Sequence, residues 1–542
     1  MIELKLVSSL EKVFPDEGPK GKIGTLQGLL NERVSFQASW RDTDVSVCYC
    51  TVKVVSPIAE HIKMYHVLGV PVTYACQQDA DGDYLRKTPG VYPDILATVE
   101  KERMHIYGGH WETAWFDIDA PETLSAGDYP VKVQIFDGEN LLAEAETVYH
   151  RIGAMLPKQT LIHTHWFHPD ALCNYYRVKM FSEEFWDICG KFLAGMKEIG
   201  QNCVLTPIHT PPLDTLVGGE RLTCQLVKIK KTEVGYKFDF SLFERFIALA
   251  QSSGIEYFEM AHLFTQWGAA HCPKIIAEVD GAETRIFGWE TDATDPAYTE
   301  FLHAYLPAVI AETKKLGIAD KCMYHISDEP NEWCLDAYMA ARNSISDITK
   351  DLYMIDALSH VEYYEKGAVA HPVPANNAIK PFLAANIENL WTYYCVGQYK
   401  DVSNNFIAMP ARRTRILGCQ LFKYNIAGFL QWAYNFYGCR FSEYPVDPYR
   451  QNDGDGFTPA GDSFIVYPGR DGAPVHSIRG RVFKQGIDDM RALQLLESFV
   501  GHEEAVRIME DGQTVEFDVY PRTDEYLIKM RERVNREIEK RI

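Results

Sequence analysis

Lys321-Cys-Met-Tyr-His-Ile-Ser-Asp-Glu-Pro-Asn-Glu-Trp333 reads as a strand that stops abruptly. Met323, Tyr324 and Ile326 are apolar or strand-favouring, and Pro330 cannot donate to a sheet ladder. Beyond the proline, Leu335, Tyr338, Met339, Ile345 and Ile348 recur at three-to-four-residue spacing, which predicts a helix. Asp328 and Glu329 therefore sit where a buried strand leaves its sheet, the place where α/β folds build active sites. A plainer reading also fits the spacing: Asp328 caps the following helix and Glu329 faces water.

Working outward, the same grammar recurs on both sides. Upstream, Thr160–Trp166 and Cys203–Leu205 read as strands one and two, and Ile255–Met260 as strand three. Between them, Ser182 is an expected N-cap and Gly200 an expected helix stop. Ser241-Leu-Phe-Glu244 reads as a capping box, and Asp295-Pro296 as the start of the helix before strand four. An insertion over 208–238 is expected to hold a hairpin, and 261–293 to be a long loop carrying Trp267 and Trp289. Downstream, strands are expected at Leu352–Ile355, near Val369–Val373, near Asn389–Cys395 and at Gly428–Trp432, with a helix from Pro410 to Tyr424. Strand and helix alternating in this way predict an α/β fold, a TIM-like (β/α)8 barrel.

The first 150 or so residues follow a different rule. Val34, Phe36, Ala38 and Trp40 alternate with polar neighbours, as do Val131, Val133 and Ile135. Asp137-Gly138 is a hairpin signal between Phe136 and Leu141. The expected organisation is an N-terminal β-sandwich over 1–155, the catalytic barrel over 156–479 and a mostly helical C-terminal extension over 480–542. Within the extension, Arg531–Arg541 reads as a solvated helix.

Composition narrows the function. The 542-residue chain carries 75 acidic and 54 basic residues, a net charge of −21, which disfavours nucleic acid and anionic membranes as partners. No apolar run reaches the ~18 residues of a membrane span, and the N-terminus lacks the apolar stretch of a signal peptide. The thirteen cysteines are scattered and include no Cys-x-x-Cys pair, so a reduced, cytoplasmic setting is expected.

In a barrel, strand C-termini line the pocket. Those positions carry His163, His165, Trp166, His209, His262, Trp267, His325, Asp328, Glu329, Asp356, Trp391, Tyr393, Tyr394, Trp432 and Asn435. Flat aromatic faces suit a sugar ring, and polar side chains suit its hydroxyls. His163-x-His165 invites a metal reading, but strand eight ends Gln431-Trp-Ala-Tyr-Asn435 with no acid, so no metal or other cofactor is expected. Adjacent carboxylates can both enter one pocket only if the strand is irregular there, because neighbours normally face opposite ways.

Taken as a set, Thr164-His-Trp-Phe-His168, Thr206-Pro-Ile-His-Thr-Pro-Pro-Leu-Asp-Thr215, Gly219-Glu-Arg221, Leu263-Phe-Thr-Gln-Trp-Gly268, Ile326-Ser-Asp-Glu-Pro330, Gly428-Phe-Leu-Gln-Trp432 with Asn435, Tyr467-Pro-Gly469 and Ser477-Ile-Arg479 carry a resemblance. From residue 160 to about 497 the chain resembles glycoside hydrolase family 123 and its relatives, the group sharing the domain of unknown function 4091. The resemblance implies a β-sandwich before a barrel, and retaining, exo-acting β-N-acetylgalactosaminidase activity without metal. It maps the acetamide stabiliser onto Asp328 and the general acid/base onto Glu329. On this reading His165, His209, Trp267, His325, Trp391, Tyr393, Tyr394, Trp432 and Asn435 bind the substrate, a glycan or glycoside with a terminal β-linked amino sugar. Two alternatives stay open. One is a conventional retaining glycosidase with Glu259 or Asp356 as nucleophile. The other is a non-catalytic carbohydrate-binding protein.

Overall fold

The computed structural model describes residues 2–44, 47–99 and 103–542. Its N-terminal part consists of two five-stranded sheets. In spatial order the first contains Ile2–Ser8, Val34–Asp42, Glu112–Ile118, Ile62–Val72 and Gly90–Thr98. The second contains Leu26–Leu30, Asn140–Met155, Gly127–Asp137, Val47–Val55 and Arg103–Tyr107. Phe36, Ala38 and Trp40 of one sheet meet Val131, Val133 and Ile135 of the other in a shared core. The turn at Asp137-Gly138 pairs Phe136 with Leu141, and Gly138 supplies the φ of +59° that the turn requires.

Alternation explains one face of the Val34–Asp42 strand but not the other. Ser35, Gln37 and Ser39 are buried too. Their polarity is met internally: Ser35 donates to Asp117 at 2.7 Å, Ser39 pairs with Thr113 at 2.9 Å, and Gln37 donates to the Ser8 carbonyl at 2.8 Å. From the same sheet Tyr65, Trp115 and Ile95 join the core of the rest of the molecule. Leu96 N–H also donates to the His476 carbonyl at 2.9 Å.

From residue 162 onward eight short parallel strands curl into one surface. They are β1 (Ile162–His165), β2 (Cys203–Thr206), β3 (Tyr257–Met260), β4 (Cys322–Met323), β5 (Ile355–Leu358), β6 (His371–Pro374), β7 (Trp391–Tyr393) and β8 (Gly428–Gln431). Ladders join β4, β3, β2, β1, β8 and β7 in that order, and β5 to β6. Single parallel bridges, Tyr324 to Met354 and Ala375 to Tyr393, connect β4 to β5 and the end of β6 to β7. Cys203, Leu205, Met323, Ile355, Ala357, Val373, Trp391, Tyr393 and Leu430 pack together on the inner face. The outer face is covered by helices, including Glu183–Met196, Pro296–Lys315 and Ile478–Val500.

Ser182 and Asp295 cap their helices as expected, accepting from Phe185 N–H and Ala297 N–H. Four local expectations are corrected. Strand five is Ile355–Leu358, three residues later than expected, because its ladder to β6 begins at Ile355. Ser241 is the first residue of its helix rather than its cap: Asp239 accepts its N–H, and Glu244 pairs with Lys315. The stretch 261–293 is not simply a loop, since its hairpin Ile275–Val279/Ala282–Phe287 joins the hairpin Lys228–Thr232/Gly235–Asp239 in a four-stranded sheet. The C-terminal helix Asp524–Glu539 is not solvated. Val534, Asn535 and Ile538 are buried, and Arg531 is clamped between Glu32 and Asp489 at 2.6 and 3.0 Å. The division expected after residue 479 falls inside the first turn of the helix Ile478–Val500, whose cap is Ser477. Among the described residues no helix is long and apolar enough to cross a membrane.

Candidate active site

At the C-terminal end of the parallel strands lies a cavity of about 170 Å³. Its lining comes from every strand or following loop except those of β6. Trp166 follows β1, Leu213 and Asp214 follow β2, and Gln266 and Trp267 follow β3. Asp328 and Glu329 follow β4, and Ala357 lies on β5. Tyr393, Cys395 and Val396 end β7, and Leu430, Trp432 and Phe457 close the wall after β8.

Asp328 and Glu329 both reach this cavity because the backbone is irregular between them. Glu329 adopts a φ of +41°, a left-handed conformation that costs a non-glycine residue about 1–3 kcal/mol. Neighbouring loops hold it there. Trp267 N–H donates to the Asp328 carbonyl at 2.7 Å, and Glu329 N–H donates to the Ala357 carbonyl at 3.1 Å. Asp328 does not cap a helix; Asn331 does, accepting Trp333 N–H at 3.0 Å.

The Glu329 side chain is held from β7. The Tyr393 hydroxyl donates to its Oε1 at 2.6 Å, and the Cys395 thiol approaches the same oxygen at 3.7 Å. Burial and the charge of Glu329 push the Asp328 carboxyl well above its usual range, while the His325 charge pulls the other way.

Beneath the pair lies a fully buried polar network. Glu259 Oε1 accepts from Trp166 Nε1 at 2.8 Å and lies 2.8 Å from His325 Nε2. His325 Nδ1 lies 3.3 Å from Asp356, which also accepts from Ile326 N–H and the Tyr338 hydroxyl. Burial opposes a charge on His325, but these two carboxylates prevail and raise it to about 9. Neither Glu259 nor Asp356 lines the cavity.

Of the expected substrate contacts, Trp267, Tyr393 and Trp432 line the cavity. The other six do not, and strand geometry accounts for most of them. His165 points away from the interior: its Nδ1 lies 2.7 Å from His163 Nε2, and both rings pack against Phe483 of the helix Ile478–Val500. Burial lowers His163 to about 3 and His165 well below its usual range, so both are neutral. Among the described residues no cluster of three or more His, Cys, Asp or Glu side chains is arranged to hold a metal ion. Tyr394 also faces outward, against Phe429. Trp391 faces inward but one layer too deep, packed over Gly428, where a Cβ would come within 2.0 Å of its ring. His209 is buried with Nε2 2.8 Å from the His262 carbonyl, and His325 is part of the network below. Asn435 ties the loop after β8 to the loop after β1, accepting His168 N–H at 2.9 Å and donating to the His168 carbonyl at 3.1 Å.

The sequence reading did not single out Asp214, Gln266, Cys395 or Phe457; Cys395 closes the expected seventh strand, and the other three come from loops without strand periodicity. It also missed Asp462, which accepts the Trp432 indole N–H at 2.9 Å and is pushed by burial to about 7. Two adjacent acids before a proline were a readable signal, although the strand itself ends at Met323, well before Pro330; Asp214 and Gln266 stood within quoted motifs but were not picked out individually.

The model for the glycoside hydrolase 123 catalytic domain matches residues 166–496. Among solved structures, the chain is similar to a family 123 glycoside hydrolase from Clostridium perfringens, described for glycolipid glycan hydrolysis. The TM-score is 0.74 at 14% identity, covering 100% of this chain and 98% of that one. A Bacteroides ovatus family 5 xyloglucanase bound to a heptasaccharide aligns with a TM-score of 0.30 at 8% identity, over 90% of this chain and all of that one. None of the curated proteins matches.

Proposed function

This chain belongs to glycoside hydrolase family 123 and is a glycoside hydrolase, and we propose that it is a retaining, exo-acting β-N-acetylgalactosaminidase-like enzyme built on a (β/α)8 barrel. Its substrate would be a glycan or glycoside ending in a β-linked amino sugar. The observation that carries this reading is the pairing of adjacent carboxyls, Asp328 and Glu329, in one small cavity, with Glu259 and Asp356, the two carboxylates weighed as nucleophiles, outside it.

A conventional retaining enzyme places two carboxyls ~5–5.5 Å apart across the scissile bond, one of them the nucleophile. Glu259 and Asp356 are both engaged by His325 and stand outside the cavity, so neither is poised to attack. In this proposal, as the family resemblance implies, the substrate's own 2-acetamido oxygen supplies the nucleophile. Asp328 accepts the acetamide N–H and steadies the positive charge that develops as the bicyclic intermediate forms. Glu329 protonates the leaving oxygen, then takes a proton from the water that opens the intermediate. Trp166, Trp267, Trp432 and Phe457 give the sugar its apolar walls. A cavity of about 170 Å³ suits a single terminal residue, which supports exo action. A cytoplasmic setting belongs to the same reading.

The test compares matched β-galactosides with and without the 2-acetamido group and follows the first-formed anomer by NMR. The proposal expects a large loss of kcat without the acetamide, beyond any weakening of binding, and a β product. Equal kcat values, or an initial α product, would overturn it. Activity on simple galactosides with retention would return the assignment to a separate carboxylate nucleophile.

A further inference from the structure

The cavity holds a second polar pair that the reaction above leaves unused. Asp214 and Gln266 line it from the loops after β2 and β3. The Gln266 amide oxygen accepts the Asp214 backbone N–H, which fixes the amide and commits its nitrogen to another partner. Among the described residues that nitrogen, Nε2, meets no hydrogen-bond partner, and neither does Asp214 Oδ2. Both residues are only 7% exposed.

The surroundings keep the pair in place without satisfying it. Asp214 sits at a φ of +42°, and its carbonyl accepts from Ser442 Oγ at 2.8 Å. Arg221, paired with buried Asp170, donates to the Leu213 carbonyl at 2.9 Å and so anchors the same loop. Leu213, Trp166, Leu430, Trp432 and Phe457 make the rest of the wall largely apolar. A donor and an acceptor buried without partners cost stability unless something completes them.

The chemistry of the missing partner follows from the two atoms. An ammonium group would satisfy Asp214 but not the amide N–H. A carboxylate would satisfy the amide and be repelled by Asp214. A hydroxyl donates and accepts at once. We infer that Asp214 and Gln266 together read one hydroxyl of the sugar in the cavity, its O–H donating to Asp214 Oδ2 and its oxygen accepting from Gln266 Nε2. The inference rests on the reading that this cavity takes a sugar, and it adds a specificity determinant to that reading.

The experiment uses the full chain and a panel made of a β-N-acetylgalactosaminide and its 3-, 4- and 6-deoxy analogues. Wild type is expected to disfavour one deoxy analogue by ~10²-fold or more in kcat/KM, because a site built around a hydroxyl rejects its absence strongly. Asp214→Asn and Gln266→Leu should lose activity on the parent sugar while nearly keeping the activity on that one analogue, so that the ratio collapses to within ~10-fold. A wild type that treats every analogue alike overturns the inference without any variant. Variants that lose equally on the whole panel assign the pair a structural role instead, and also overturn it. Calorimetric binding of N-acetylgalactosamine and the same deoxy sugars to Glu329→Gln reads the ratio without turnover. If no glycoside is hydrolysed but one deoxy sugar binds far more weakly than the parent, the catalytic proposal fails and this inference stands. If no sugar binds, both fall.

Discussion

The Tyr393 hydroxyl donates to Glu329 Oε1 at 2.6 Å, joining the end of β7 to the loop after β4 across the mouth of the cavity. Hydrogen bonds to charged groups contribute about 1.5–3 kcal/mol, and this one also fixes the rotation of the carboxyl. Tyr393→Phe is therefore expected to fold normally and to lose roughly 10- to 100-fold in kcat/KM. Melting curves and kinetics on one substrate check this. An unchanged kcat/KM would show that Glu329 needs no such support.

The two acids should fail differently. Glu329→Gln removes the proton donor at constant shape, and general acid catalysis supplies roughly 10²–10⁴-fold. The loss should be greatest for poor leaving groups and small for good ones, which need little protonation. Asp328→Asn should slow every substrate. A series of aryl glycosides of graded leaving-group pKa separates the two patterns. Equal losses across the series for Glu329→Gln would remove it from the role of acid.

His325 makes stability pH-dependent in a stated direction. Its folded value, about 9, lies above the ordinary 6.5 because Glu259 and Asp356 hold the imidazolium. A raised value means that the contribution is full below about 6.5 and is lost as pH rises through about 9. The shift corresponds to at most about 3 kcal/mol. Chemical denaturation at pH 6.5 and 9.5 should show wild type losing stability that His325→Gln does not lose. Parallel pH profiles for the two proteins would contradict the network.

The N-terminal sheets should not be dispensable. Arg479 is buried and reaches Asp94 with Nε at 3.0 Å and Nη2 at 3.0 Å, and Tyr467 donates to the same carboxylate at 2.7 Å. Removing one partner of a buried pair costs about 3–5 kcal/mol. Asp94→Ala should lower stability by that amount, and a chain starting at residue 156 should be insoluble. A soluble, active fragment would show that the contact is incidental.

Much of the architecture could be read directly. Residues 34–40 and 131–135 alternate because the core shared by the two N-terminal sheets selects every second side chain, and strand and helix alternate after 160 because a parallel sheet needs crossovers. The caps Ser182 and Asp295 and the proline behind Asp328-Glu329 are local chemistry, so local sequence was enough to find them. The limits are equally specific. His165 and Trp166 are neighbours of similar promise, yet one faces Phe483 and the other the cavity. Trp391 and Tyr393 share a face, yet only the second is at the right depth. Which residue of a strand looks inward, and at what height, depends on its register with strands far away in the chain. The left-handed turn at Glu329 and the meeting of Asp214 with Gln266 likewise depend on hydrogen bonds to other loops. The sequence by itself determined the kinds of element, their order and the acidic pair. Only the tertiary structure decided which side chains share one cavity, because that is a property of long-range register and loop contacts rather than of neighbours in the chain.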